Sequence, residues 1–147
     1  MAHTVRTLAR WALAIVLVSA GVSHLTWART DFLAQVPPWF PVNAGFVVFS
    51  SGLLEIALGC ALLGFPAWRA QVGLAVAAFF VAVFPGNVSQ FVTHTSAFGL
   101  TSDLRRGVRL VFQPALVAWA LWSTSGRADR RRRHDTPSMA PMPSSAR

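Results

Sequence analysis

The stretch NAGFVVFSSGLLEIALGCALLG, residues 43–64, decides the fold. It is apolar almost throughout and matches the roughly 20 residues that a helix needs to cross hydrocarbon. It lacks the alternation of a barrel strand. A helix is then the form that satisfies its backbone in lipid. One carboxyl group, Glu55, interrupts it near the middle. Gly45, Gly52 and Gly59 recur every seven residues and mark a seam for close helix packing. Glu55 lies three residues after Gly52 and four before Gly59, so it shares the seam and is expected to face other helices.

Three further blocks of the same character flank this one, at about residues 8–28, 70–92 and 108–123. The reading is all-α: a transmembrane four-helix bundle over residues 1–125, with short loops. The links fit. Residues 29–42 hold Asp31 and the run Val36-Pro37-Pro38-Trp39-Phe40-Pro41, whose prolines cannot lie inside a regular helix. Residues 65–69 form a tight turn with Pro66 and Trp68, and make the second and third helices antiparallel neighbours. Residues 93–107 are polar and read as a loop. Residues 126–147 are rich in Arg, Ser and Pro with no apolar period, and read as a disordered cytoplasmic tail.

Composition excludes several classes. The chain has 147 residues, 54% hydrophobic and only 12% charged, with a mean hydropathy of +0.49. A soluble domain of this size carries about 25% charged residues. Cys60 is the sole cysteine, which removes a disulfide scaffold and thiol-pair redox chemistry. His3, His24, His94 and His134 are too scattered for a metal centre, and no phosphate loop or dinucleotide fingerprint occurs. Net charge is +8, and all 13 basic residues are arginine. They flank apolar blocks or crowd the tail, so they read as topology signals and headgroup contacts rather than as a nucleic-acid surface. With the N-terminus inside, Arg6, Arg10, Arg69 and the six tail arginines are cytoplasmic, against Arg29, Arg105, Arg106 and Arg109 outside. Both termini are therefore expected in the cytoplasm. Val18-Ser19-Ala20 offers a competing signal-peptide reading, opposed by apolar character that continues through Leu25.

Polar residues inside apolar blocks carry the functional information, because lipid offers them no partners. Glu55, near the midplane, is expected to be protonated or bonded to a donor, as a helix-to-helix tie or as a proton or ligand site. His24 lies near the outer end of the first helix. It reads as an interfacial or packing residue, or as a ligand contact. Pro85 should free the carbonyl of Val81 and kink the third helix, with Asn87 two residues on. Ala75, Ala78, Ala82, Pro85 and Ser89 form a small-residue stripe that reads as the seam of that helix, with Asn87 off it. Gln113 precedes Pro114 in the fourth helix. Arg109 lies four residues earlier on the same face and, with Ser51, is placed as a supporting residue. His24, Asn87 and Gln113 fall in the outer half with Glu55 deeper, which would make a polar pocket opening outward. Separate packing bonds would account for the same residues.

The motifs Gly21-Val22-Ser23-His24-Leu25, Val36-Pro37-Pro38-Trp39-Phe40-Pro41, Ser51-Gly52-Leu53-Leu54-Glu55-Ile56-Ala57-Leu58-Gly59, Val83-Phe84-Pro85-Gly86-Asn87 and Arg109-Leu110-Val111-Phe112-Gln113 resemble the DoxX-like family of small four-helix membrane proteins. The resemblance covers about residues 8–123. It implies a compact bundle in a bacterial cytoplasmic membrane, with His24, Glu55, Asn87 and Gln113 at the family's recurrent polar positions. Some members are associated with membrane oxidoreductase complexes, including thiosulfate–quinone chemistry and oxidative-stress assemblies; most have no assigned activity. Val111-Phe112 stands where relatives often place Leu-Pro, and the proline here is Pro114.

Two functions are in view. One is an accessory subunit of a membrane redox or stress-related complex, whose partners are the bilayer and other subunits or further copies of the chain. Catalysis is not implied, and no cofactor is evident. The other is an oxidoreductase or carrier that uses the outer pocket for a quinone or another small lipophilic ligand. A filled core with each polar group bonded locally is expected of the first, and a cavity joining His24 to Glu55 of the second. Reporter fusions test the topology: a fusion after Ser125 should report the cytoplasm and one within residues 95–102 the opposite side. An extracytoplasmic signal from the first would reverse the arginine assignment.

Overall fold

The computed structural model describes residues 2–93 and 103–125; of Ala2, residues 103–106 and Arg109 it describes the backbone alone. Among these residues the chain is all-helical. Helix α1 spans Ala2–Leu25, α2 Arg29–Leu33, α3 Ala44–Gly64, α4 Arg69–Val92 and α5 Asp103–Thr124. One turn of 3-10 helix, Pro66–Trp68, joins α3 to α4. Asn43 starts α3 by accepting a hydrogen bond from the Phe46 amide at 3.2 Å, the standard use of asparagine before a first turn.

Three helices are long and apolar enough to cross a membrane: His3–Leu25, Ala44–Gly64 and Pro66–Val92. The apolar part of α5, Leu110–Thr124, is shorter. Large apolar side chains face outward on every long helix, among them Ile15, Phe46, Leu53, Leu74, Val81 and Val111. An apolar surface on all sides is the pattern of helices solvated by lipid. Exposed aromatic residues gather at the two ends, Trp27, Trp39 and Phe40 at one and Phe65 and Trp68 at the other, as at headgroup level.

The long helices pack mainly in two pairs, α1 on α3 and α4 on α5, while the tight turn between α3 and α4 brings much less contact. Glycines set the first pair. A Cβ on Gly59 would meet Val18 Cγ2 at 2.7 Å and the Ala14 carbonyl at 2.8 Å. One on Gly52 would meet His24 Cβ at 2.7 Å and the Gly21 carbonyl at 3.0 Å. The two backbones therefore touch along a glycine seam. In the second pair Gly73 admits the Thr124 side chain. Helix α1 meets α5 through polar ties: Trp119 Nε1 donates to the Ala9 carbonyl at 3.1 Å, and Arg6 Nη1 to the Ser125 carbonyl at 2.9 Å. The Arg6 bond covers a carbonyl at the negative end of α5. The apolar core, built on Leu13, Leu17, Leu62, Val76, Phe80 and Ala120, fills the half nearer the chain termini.

Several sequence expectations are corrected. Helix α1 starts at Ala2 rather than near residue 8 and ends at Leu25, and α5 starts at Asp103 rather than near residue 108. Apolar blocks mark the hydrocarbon slab, whereas a helix continues through polar residues beyond it. Residues 29–42 are not wholly loop, since they hold α2. Helix α4 contains Pro85 within its span, in keeping with the sequence reading. Its small-residue stripe is not the seam: Ala75, Ala78, Ala82 and Pro85 are exposed, and Gly73, Val76, Ala77, Phe80, Asn87 and Gln90 are buried. Small size creates no burial by itself in lipid, where packing against larger neighbours decides which face turns inward. The tail at residues 126–147 and most of the link before α5 lie outside the described residues.

The glycine seam gives a paired test. Gly59→Val should destabilise the protein by about 1–3 kcal/mol through overpacking. Gly64→Ala, where an added Cβ meets nothing within 4 Å, should change it by less than about 0.5 kcal/mol. Thermal unfolding in detergent reads both.

Candidate functional site

Where α1 touches α3, His24 is brought against Glu55. His24 Nδ1 lies 2.8 Å from Glu55 Oε2. The same nitrogen lies 3.0 Å from the Ala20 carbonyl one turn back. A carbonyl only accepts, so Nδ1 carries the hydrogen. That hydrogen is aligned on Ala20, and Oε2 is buried without an aligned hydrogen bond of its own. The histidine–carboxyl contact is therefore a close electrostatic pair, not a linear hydrogen bond. The Phe32 ring stacks on the imidazole with centroids 3.3 Å apart, so α2 covers the pair from one side.

A second polar pair joins α4 to α5. Asn87 Nδ2 donates to Gln113 Oε1 at 3.0 Å, and Gln113 Nε2 donates to the Phe80 carbonyl at 2.6 Å. Both side chains are buried. The Phe80 carbonyl fixes the orientation of the whole chain of bonds, because it can only accept. Gln113 must then present its oxygen to Asn87, and Asn87 must use its nitrogen.

These pairs line one cavity of about 470 Å³ that borders the apolar core, with Leu17, Phe79 and Phe80 belonging to both. His24, Glu55, Asn87, Gln113 and Ser51 all contribute to its wall. The remainder is apolar and aromatic, with Phe79 and Phe80 from α4, Phe112 from α5, and Val36, Pro37, Trp39 and Phe40 from the segment after α2. The volume lies in the ordinary range for small-molecule sites, and so does the composition, apolar with a few converging polar groups. Ser51 bonds only locally, donating to the Val48 carbonyl at 3.0 Å. The Arg109 side chain lies outside the described residues.

Sequence reasoning picked out the four polar residues but missed their pairing and three other participants. Phe32 and Gln35 come from the segment read as a loop. Gln35 Nε2 donates to Gln90 Oε1 at 3.2 Å and ties that segment to α4, where Gln90 is 3% exposed. Gln90 follows Asn87 by three residues on one helix face, a signal that was legible. Arg10, read as a flanking topology residue, is 7% exposed, and its Nε has no hydrogen-bond partner.

The comparisons with known proteins place this architecture in a family. The model described as a domain of unknown function, DUF8561, matches residues 13–124. The chain belongs to that family. No curated protein and no solved structure matched it. All four polar residues and the rest of the cavity lining fall within the matched region.

Two substitutions at Glu55 separate its roles. Glu55→Leu should cost about 0.6–2 kcal/mol of thermal stability, the range for interhelical polar contacts in membranes. Glu55→Gln should retain most of that stability. If Glu55 also handles a proton or a ligand, Gln should abolish function in a folded protein. Complementation of a deletion strain alongside detergent melting reads both, and two variants indistinguishable from wild type would remove Glu55 from the site.

Proposed function

We propose that this DUF8561 protein is a multi-pass protein of the bacterial cytoplasmic membrane that binds a small lipophilic molecule in the cavity bounded by His24, Glu55, Asn87 and Gln113. The observation that carries the reading is the convergence of these four residues, one from each long helix, on a single cavity. An accessory subunit held together by local packing bonds would need no such space. A few polar groups converging on an apolar pocket of this volume are the usual mark of a ligand site. The bundle crosses four times in this proposal, α5 by its apolar part together with the polar turns that precede it, and both termini face the cytoplasm. The resemblance to DoxX-like proteins agrees with the helix count and adds a quinone as one ligand to consider. Partnership with a membrane redox complex, or with further copies of the chain, belongs to the same proposal.

Mass spectrometry of small molecules that co-purify from native membranes tests the reading. Wild-type protein should carry a lipophile in near-stoichiometric amount. Ser51→Phe should fill the cavity without removing an interhelical hydrogen bond, and should lose that molecule while its melting temperature holds. Equal recovery from the two proteins would overturn the assignment of the cavity as the site.

A further inference from the structure

The hydrogen-bonding inventory of the cavity goes one step further and, resting on the ligand-binding reading above, names the chemistry of the ligand's head. On the α4–α5 wall, the Phe80 carbonyl fixes Gln113 Nε2 as a donor, Gln113 Oε1 as an acceptor and Asn87 Nδ2 as a donor. Among the described residues nothing donates to Asn87 Oδ1. On the α1–α3 wall, His24 Nδ1 is taken up by the Ala20 carbonyl at 3.0 Å and by Glu55 Oε2 at 2.8 Å. Glu55 lines the cavity with a carboxyl group that receives no aligned hydrogen bond at Oε2. The unpaired oxygens on the two walls are thus acceptors, Asn87 Oδ1 and Glu55 Oε2. The unused donors are the second hydrogens of the Asn87, Gln113 and Gln35 amides, each already engaged once.

We infer that the cavity selects a lipophilic hydroxyl compound, a phenol or alcohol on an apolar body, over the corresponding ether or carbonyl compound. A hydroxyl donates one hydrogen and accepts others. It therefore supplies the missing donor to Asn87 Oδ1 or Glu55 and still accepts from an amide. An ether or ketone can only accept, and leaves those acceptors unpaired against an apolar wall, which is costly. An ammonium head would bring a charge to a carboxyl group that already faces the His24 Nδ1–H at 2.8 Å, so the neutral donor is the better match. The walls of Phe79, Phe80, Phe112 and Phe40 suit an aromatic or long aliphatic body.

The test uses the full chain in zwitterionic lipid nanodiscs, with radiolabelled para-octylphenol, its methyl ether and octylamine as probes. Uptake is measured against empty nanodiscs, which subtracts partition into lipid. The phenol should bind about tenfold tighter than the ether, the weight of one buried hydrogen bond. Asn87→Leu should erase much of that difference, with melting temperature reported alongside; the wild-type comparison stands alone if this variant does not fold. Equal binding of phenol and ether, both lost in Ser51→Phe, would overturn the hydroxyl selectivity and leave the ligand site intact. Failure of every probe to bind above empty nanodiscs would overturn both. Octylamine binding more tightly than the phenol would replace the neutral head by a cationic one.

Discussion

Gly52 has no side chain, and so His24 Cβ can sit 2.7 Å from the place where one would begin. That approach is the constraint on which the rest of the site depends. It brings the two helix backbones together at Gly21, Gly52 and Gly59 and aligns the imidazole on the carboxyl group three residues further along α3. A larger residue at any of the three would push α1 off α3 and separate the pair. In lipid no hydrophobic force would restore the contact, since the tails solvate apolar side chains as well as another helix does. Close van der Waals contact and polar bonds between helices are what remain.

The same physics explains why the second pair is built differently. Helices α4 and α5 meet closely at Gly73 and Thr124, then diverge enough to admit an amide chain from Asn87 through Gln113 to Phe80. Each amide is satisfied by the next, and the last bond ends on a backbone carbonyl. Such a chain has one orientation only, which turns two flexible side chains into a fixed wall. The cavity lies between the glycine-packed pair on one side and the amide-bonded pair on the other, and Leu13, Leu62, Val76 and Ala120 fill the core beside it.

The segment between α1 and α3 completes the enclosure. Phe32 stacks on His24, Gln35 reaches Gln90, and the Gln35 carbonyl lies 3.2 Å from where a side chain on Gly86 would start. The run Val36-Pro37-Pro38-Trp39-Phe40-Pro41 folds through a turn, closed by the Phe40 amide donating to the Pro37 carbonyl at 3.0 Å, and side chains from it line the cavity while Trp39 stays largely exposed at the aromatic end. The cavity is thus walled by helices on its sides and by a short strap at one end.

The sequence alone determined the helical, lipid-solvated character, because continuous apolar length is a property of the chain itself and needs no partner to be read. It also determined that Gly52, Glu55 and Gly59 share a face, since helical periodicity places residues on one element. Which faces meet is a property of two elements, and there the reading of α4 failed. The stripe from Ala75 to Ser89 looked like a seam, yet Phe80, Asn87 and Gln90 turned inward, where Gln113 bonds Asn87 and the Phe80 carbonyl and Gln35 bonds Gln90. Only the tertiary structure decided that His24 answers Glu55, that Asn87 answers Gln113, and that a strap read as loop supplies Phe32 and Gln35. The His24–Glu55, Asn87–Gln113 and Gln35–Gln90 pairings join residues 26 or more positions apart in sequence, and local periodicity holds no information at that separation.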